Sequence, residues 1–515
     1  MRQGATDLRV ALGKRQLEAG DLVAGVTVAL VLVPQSLAYA QLAGMPAYRG
    51  LYAAALPPLA AALIASSPHL QTGPVALTSL LTFGALASLA PPGSDEYVAL
   101  GILLALLVGV VRVLVGLLRA GVVAYLISQP MLLGFVPAAA ILIVAAQLPA
   151  VLGTSPERDG ILERAFRAIG DPASWDGASV VLGVGTVVVM TAGRSVHRLF
   201  PATLVAVVFA IAFSRITDYD GSTVGPIPAG LPPFSLDFEW QELPVLVVPA
   251  AIIALVGFVE PSSIARTFAA RDRRRWNANR EFESQGVANI AAAVSGGFPV
   301  GGSFSRSALN RLSGARTRLS GAITGLAVLV FLPFSDVLSR LPTAVLGGIV
   351  IGAVLGLIRP LPVLRLAAIS RPQFLVAGTT FVLTLALAPH VEWAVIAGIA
   401  LAVGVHLWRE LSLEVPSWVE DDVLHMRPRG VLWFGAAARL EDRFLQLVAD
   451  HRGIGQLVVH LDGLGRIDTS GALALRVLLH QAREAGLEVE IVDVRPRWRK
   501  LVARVIERED DPLRL

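Results

Sequence analysis

The sequence predicts a membrane-embedded all-α protein with a small α/β domain behind it, and three observations carry that prediction. Of the 515 residues 54% are hydrophobic and only 16% charged, and the mean hydropathy is +0.66, far above that of a soluble domain. Apolar stretches of about 20 residues, each able to cross a hydrocarbon core of roughly 30 Å as a helix, recur from Asp21 to Leu411. Counted with the shorter ones they give roughly fourteen spans. From Ser412 onward charges become frequent and apolar runs shrink to strand length.

Composition also excludes classes. Zero cysteines rule out disulfides and thiolate metal sites. The formal charge of +4 comes with no basic stripe interleaved with stacking aromatics, so no nucleic-acid partner is expected. The eight histidines show no metal-ligand spacing, and neither a nucleophile elbow nor a phosphate-cradling glycine loop follows a strand in the apolar part. An enzyme, a metal centre and a cofactor are therefore not expected.

Taken in order, the polar start MRQGATDLRVALGKRQLEAGD has no cleavable leader pattern, which makes the first apolar segment an uncleaved span. Arginine then tests the span count, because connections on the cytoplasmic side carry the excess of Lys and Arg. Arg2, Arg9, Lys14 and Arg15 precede the first span, Arg119 follows the fourth, and Arg194 and Arg198 follow the sixth. Arg266, Arg271, Arg273, Arg274, Arg275 and Arg280 follow the eighth, Arg311, Arg316 and Arg318 the tenth, and Arg359, Arg365 and Arg371 the twelfth. The opposite connections, "PPGSDEY" and "DYDGSTVGPIPAGLPPFSLDFEWQE", are acidic or nearly uncharged. Both termini are thus expected in the cytoplasm of a multi-pass protein; the mixed-charge stretch 155–176 fits neither side. Lys14 and Lys500 are the only lysines, a bias that suggests a GC-rich bacterial source and hence the inner (plasma) membrane.

Several spans are interrupted. The first contains "LVLVPQSLAYAQ", where Pro34 bends the helix and frees a carbonyl, and the Gln35 amide can either bond that carbonyl or point at a substrate. The third begins "TGPVALTSLL", with Pro74 placed to open a short helix at Val75. The eighth carries Glu260 in "ALVGFVEPSSIA", and an ionised carboxylate at membrane depth is a functional candidate by default. The tenth begins "GFPVGGSFSRSALN", whose Pro and Gly leave backbone N–H groups free at a depth where only protein or a water-filled cavity can satisfy them. A helix starting there presents about half a positive charge and several unpaired donors. Short interrupted segments at corresponding places in two halves point to a transporter's binding site. Two facing helix ends would make an anion pocket lined by Val75, Ala76, Ser303, Phe304 and Ser305, with Arg306 adding a full charge. The other readings stay open: Arg306 as a snorkelling residue or in a permanent ion pair with Glu260, the serines as small packing residues, and Pro74 as a simple kink.

In the tail, runs 430–434, 456–461 and 488–493 have strand character and 437–450 and 470–485 helical periodicity, which implies a small sheet covered by helices. "LVVHLDGLGRIDTSGALALRVLL" predicts a buried strand, a tight loop and a helix opened by Asp468, Thr469 and Ser470.

This tail resembles a STAS domain, the fold of bacterial anti-sigma factor antagonists and of the cytoplasmic ends of many anion transporters. In the antagonists the serine matching Ser470 is phosphorylated, so Ser470 is either a regulatory phosphosite or part of a purely structural cap. The membrane part is similar to the SulP family of anion permeases through "DLVAGVTVALVLVPQSLAYAQLAGMPAYRGLYAA", "TGPVALTSLL", "GFVEPSSIARTFAARDRRRWNANREFESQGVANIAAAVSGGFP" and "GGSFSRSALNRLSGARTRLSG". The resemblance covers essentially the whole chain in the family's order. It implies a seven-plus-seven inverted repeat shared with the uracil permeases, and usually a homodimer. Its core domain would hold the first to fourth and eighth to eleventh spans, and its gate the fifth to seventh and twelfth to fourteenth. The segments are then 1–20, cytoplasmic; 21–411, transmembrane; and 412–515, the STAS domain. The resemblance also places Gln35 and Tyr39 with Arg306 at the anion site, and makes Glu260 the coupling residue, for H⁺ ahead of Na⁺.

The expected activity is secondary active transport of a small anion of the sulfate, bicarbonate or dicarboxylate class, by elevator-like movement of core against gate. Membrane lipid surrounds it, and the STAS domain regulates it, helps it dimerise or receives a cytosolic regulator. The competing readings are an uncoupled anion exchanger or channel, a nucleobase permease of the same fold, and a membrane anchor for STAS signalling.

Overall fold

The computed structural model describes residues 19–125, 128–156, 160–196, 200–411, 413–451 and 453–505. The basic residues Arg2, Arg9, Lys14, Arg15 and Arg198, on which part of the expected orientation rests, lie outside them. Helices dominate up to Leu411, and in chain order they are α1 (Ala19–Leu42), α2 (Arg49–Ile64), α3 (Ala76–Leu86), α4 (Asp95–Leu117), α5 (Gln129–Leu152), α6 (Ile161–Gly170), α7 (Gly177–Val196) and α8 (Ala202–Ile216). They continue with α9 (Leu243–Val256), α10 (Val259–Arg271), α11 (Ala278–Val294), α12 (Phe304–Leu312), α13 (Leu319–Phe331), α14 (Thr343–Val354), α15 (Pro360–Ile369), α16 (Arg371–Ala386) and α17 (Val391–Leu411). Two three-residue strands, β1 (Gln71–Gly73) and β2 (Gly301–Ser303), precede α3 and α12.

Among the described residues, seven helical stretches are long and apolar enough to cross a membrane, and Arg49–Ile64, Ala76–Leu86, Gly177–Gly193 and Ala202–Ile216 are shorter apolar helices. The puzzling stretch 155–176 contains α6, which buries Ile161, Ala165 and Ala168 along one side while its remaining face is exposed and partly charged. Ten residues rise only about 15 Å, so α6 is an amphipathic surface helix and not a span.

Helix packing falls into two groups. In the first, α11 lies along α4 and α2, α13 along α2 and α1, and α9 against α4. In the second, α14 and α16 lie along α5, and α7 along α14. Contacts between the groups run mainly from α1 to α14 and α8, and from α3 to α5.

The C-terminal unit has its own core. Strands β3 (Ser417–Glu420), β4 (Val423–Met426), β6 (Gln456–His460) and β8 (Glu488–Val492) form one sheet in the order β3-β4-β6-β8, while β5 (Gly430–Leu432) and β7 (Leu464–Ile467) pair separately. The β4–β6 and β6–β8 pairs are parallel and β3–β4 is antiparallel. Helices α18 (Phe434–Asp450), α19 (Thr469–Glu484) and α20 (Arg499–Val505) complete it, with Leu424, Leu457, Leu461, Leu475 and Leu479 among the side chains of the buried core. The three anticipated strands and both helices are present within a few residues of their expected limits. The stretch read as a tight loop contains β7, and the hairpin β3–β4 is additional.

Candidate functional site

The site forms where the apolar pattern is broken. β1 and β2 pair antiparallel, with Gln71 opposite Ser303 and Gly73 opposite Gly301, so extended backbone in apolar surroundings finds its partners across the pair. β1 leads within three residues into α3, and β2 directly into α12. Both positive helix ends therefore begin next to the strand pair.

Close approach there needs glycine. A Cβ on Gly302 would lie 2.7 Å from Leu70 Cδ1 and 3.2 Å from the Pro261 ring, and one on Gly301 would lie 3.1 Å from Val75 Cγ2. Val300, just before β2, is held through both of its backbone groups: its N–H donates to Asn289 Oδ1 (2.9 Å), and its carbonyl accepts from Asn289 Nδ2 (3.1 Å) and Arg112 Nη1 (2.9 Å).

Arg306 is 1% exposed, on the first turn of α12. Its Nη2 donates to the Pro74 carbonyl (2.8 Å) and its Nη1 to Gln35 Oε1 (3.3 Å), while Nε has no hydrogen-bond partner among the described residues. One side chain thus ties together the bend of α1, the entry to α3 and the start of α12. Both acceptors are neutral oxygens, so the guanidinium charge is not cancelled by a direct carboxylate contact. No direct Arg306–Glu260 salt bridge joins the two side chains, although their charges attract.

Glu260 bonds elsewhere. It lies on the first turn of α10, just past the break at Gly257 and Phe258, and its Oε1 accepts from the Phe304 N–H at 3.1 Å. A carboxylate of the protein itself therefore occupies a donor at the α12 N-terminus. Ser303 is the N-cap, its Oγ accepting from Arg306 N at 3.5 Å and lying 3.3 Å from Ser305 Oγ. Two N–H groups that the sequence leaves open for an anion are engaged from within.

The other expected residues fall around this centre. Tyr39 is buried one turn beyond Gln35 and interacts electrostatically with Arg306. Val75 is buried as the N-cap of α3, with no side-chain cap, and Ala76 starts that helix half-buried. The helix opens one residue later than expected, so Pro74 stands before the cap and contributes its carbonyl to Arg306. Phe304 and Ser305 are exposed. Ser470 is also exposed, on the first turn of α19 in the C-terminal unit, where Asp468 caps the helix by accepting from Gly471 N at 2.7 Å.

Sequence reasoning missed two neighbours. Arg112 is 0% exposed and donates to the Ala254 (3.1 Å), Ile253 (3.2 Å) and Val300 (2.9 Å) carbonyls, bracing the end of α9 and the approach to β2. A charged residue inside "LLALLVGVVRVLVGLL" was the available signal. Gln71, opposite Ser303 in the strand register, is fully buried with neither amide atom partnered among the described residues.

Comparison with known proteins adds the following. The sulfate permease family matches residues 19–380 and the STAS domain family residues 417–510. A probable sulfate transporter of Mycobacterium tuberculosis is 35% identical over 395 residues, covering 76% of this chain and 70% of that protein. The chloroplastic sulfate transporter 4.1 of Arabidopsis thaliana is 30% identical over 513 residues, covering 92% and 74%. Among solved structures, the murine solute carrier 26 family member A9 anion transporter in the inward-facing state superposes with a TM-score of 0.86 over 96% of this chain and 89% of that one, at 20% identity, a likeness of fold. The transmembrane domain of the cyanobacterial bicarbonate transporter BicA gives 0.65 over 74% and 96%, at 26% identity.

Proposed function

The chain belongs to the sulfate permease family of membrane anion transporters, and from that premise we propose that it carries a small oxyanion of the sulfate class by proton-coupled symport. The carrying observation is Arg306, a buried cation bonded only to neutral oxygens, with one N–H unpartnered, at the start of a short helix. Such a centre favours an anion, because burying a guanidinium without a direct carboxylate partner is costly and an oxyanion offsets the cost. Relatives named as sulfate transporters at 35% and 30% identity support sulfate as the substrate.

In this reading Glu260 carries the coupling. While ionised, its carboxylate holds the Phe304 N–H, which is a donor a bound anion would use. Protonation removes the charge that competes with substrate and frees the helix end. An anion then enters with a proton, and loss of that proton restores the internal cap and expels the anion. Gln35, Tyr39, Val75, Ala76, Ser303 and Ser305 line the pocket in this reading, and Gln35 aims the guanidinium.

The two packing groups support a core, with α1 to α4 and α9 to α13, moving against a gate built on α5 to α8 and α14 to α16. The protein works as a plasma-membrane homodimer with both termini cytoplasmic. Its STAS domain regulates transport or dimerisation, and exposed Ser470 at a helix start is a fitting phosphate acceptor.

Uptake of labelled sulfate into proteoliposomes, with and without an inward proton gradient, tests the proposal. Accumulation against the sulfate gradient is expected under protons and not under sodium alone. Arg306→Ala should weaken sulfate-dependent stabilisation on the order of a hundredfold while leaving the protein folded. Glu260→Gln, a permanent mimic of the protonated state, should lose proton-driven accumulation and keep sulfate exchange. Uphill uptake persisting in that variant would move coupling to another residue.

A further inference from the structure

A second basic site lies apart from the transport centre. At the C-terminal ends of α2 and α10 and the turn before α13 there is a cavity of about 360 Å³ lined by Arg274, Arg275, Arg280, Arg316 and Arg318. None of Gln35, Glu260, Ser303 or Arg306 lines it. Its volume is at the lower end of the roughly 300–1,000 Å³ typical of small-molecule pockets.

The arginines divide by what holds them. Arg280 Nε donates to the Ile64 carbonyl (2.6 Å) and Arg318 Nη1 to the Ala65 carbonyl (3.0 Å), which fixes both against the C-terminal end of α2. The side chains of Arg274 and Arg275 are exposed and form no salt bridge or hydrogen bond among the described residues. Five guanidinium groups thus face one lining carboxylate, Asp272, and that one is already bonded to His69 (3.0 Å) and Arg311 (2.6 Å). Glu281, which does not line the cavity, accepts from Ser67 N (2.8 Å) and Trp276 Nε1 (3.2 Å) through one oxygen. Among the lining residues the guanidinium groups outnumber the carboxylates five to one, so the lining is positively charged.

We propose that this cavity binds a phosphate group, either of an acidic membrane lipid or of a soluble phosphorylated compound. Guanidinium forks match phosphate oxygens, two of the five are pre-positioned by backbone carbonyls, and two others have no competing partner. Trp276 in the wall is the residue type that marks the lipid headgroup level, and a basic recess on an arginine-rich connection is where anionic headgroups gather. The site bridges α2, α10 and the turn before α13, so its occupant would steady three elements of the first packing group.

The test uses the full-length protein purified in detergent. Native mass spectrometry reads retention of phosphatidylglycerol against phosphatidylcholine, and thermal unfolding reads stabilisation by inorganic phosphate without added lipid. The double variant Arg274→Gln/Arg275→Gln removes the two unpartnered cations, with Arg275→Gln alone as the milder form and Arg306→Ala as the control at the transport centre. Preferential retention of phosphatidylglycerol, reduced at least about tenfold in the double variant and unchanged in Arg306→Ala, establishes the headgroup site. Phosphate-dependent stabilisation lost in the same variant, without lipid preference, establishes a soluble phosphate ligand. Equal lipid retention and equal phosphate response in wild type and double variant would overturn the proposal.

Discussion

Arg112 shows how a single side chain can be essential to the site without facing a ligand. Its guanidinium satisfies the carbonyls of Ala254 and Ile253 at the end of α9 and of Val300 before β2, groups that a membrane interior cannot hydrate. Arg112→Leu is expected to lower stability by about 3 kcal/mol, since at least one carbonyl is left unpaired and buried. Thermal unfolding should show that loss together with weaker sulfate protection, because the approach to β2 loosens; Arg112→Lys, a single point charge, should recover only part. Unchanged sulfate protection at lowered stability would limit Arg112 to holding the fold. The sequence made Arg306 and Glu260 legible because they sit beside Pro, Gly and Ser. Arg112 lies in an unbroken apolar run, and its partners are 141, 142 and 188 residues away, so no local pattern announces them.

Among elements, breaks were legible and contacts were not. Pro34, Pro74 and the Gly-Pro run before Ser303 mark interruptions by chemistry that any reader of the chain can apply. That Glu260 would cap α12, and that Pro74 would offer its carbonyl rather than start the helix, depends on how α1, α10 and α12 meet. The strands of β3 and β7 were invisible for a different reason: each has four residues, too few for an alternating pattern to stand out. The α1–α2 contact gives the sharpest test at this scale. A Cβ on Gly50 would lie 1.9 Å from the Ser36 carbonyl oxygen and 2.4 Å from its carbon, and backbone cannot swing aside as a side chain can. Gly50→Ala should therefore push α1 away, cost about 3 kcal/mol in thermal stability and weaken sulfate binding through displaced Gln35. Normal stability with normal sulfate affinity would show that the two helices have slack where the structure shows contact.

For the whole molecule, composition and arginine placement were enough to announce a membrane protein with a separate C-terminal domain, whereas the division into two helix groups needed three-dimensional packing or a known relative. If the group holding the anion moves as a body, distances inside it stay constant while distances across the boundary change. The absence of cysteine from all 515 residues makes this directly measurable with introduced spin labels. Val110 on α4 and Leu326 on α13 are exposed positions of one group, and Val382 on α16 is an exposed position of the other. Labels at Val110 and Leu326 should keep their separation when sulfate and acid are added together. Labels at Leu326 and Val382 should shift by several ångströms under the same conditions, and should fail to shift with sulfate and acid together once Arg306 is alanine, because no anion is then held to favour the second state. Movement within the Val110–Leu326 pair would mean that the carrying group deforms, and constancy of both pairs would favour a fixed pathway through the protein over a moving core.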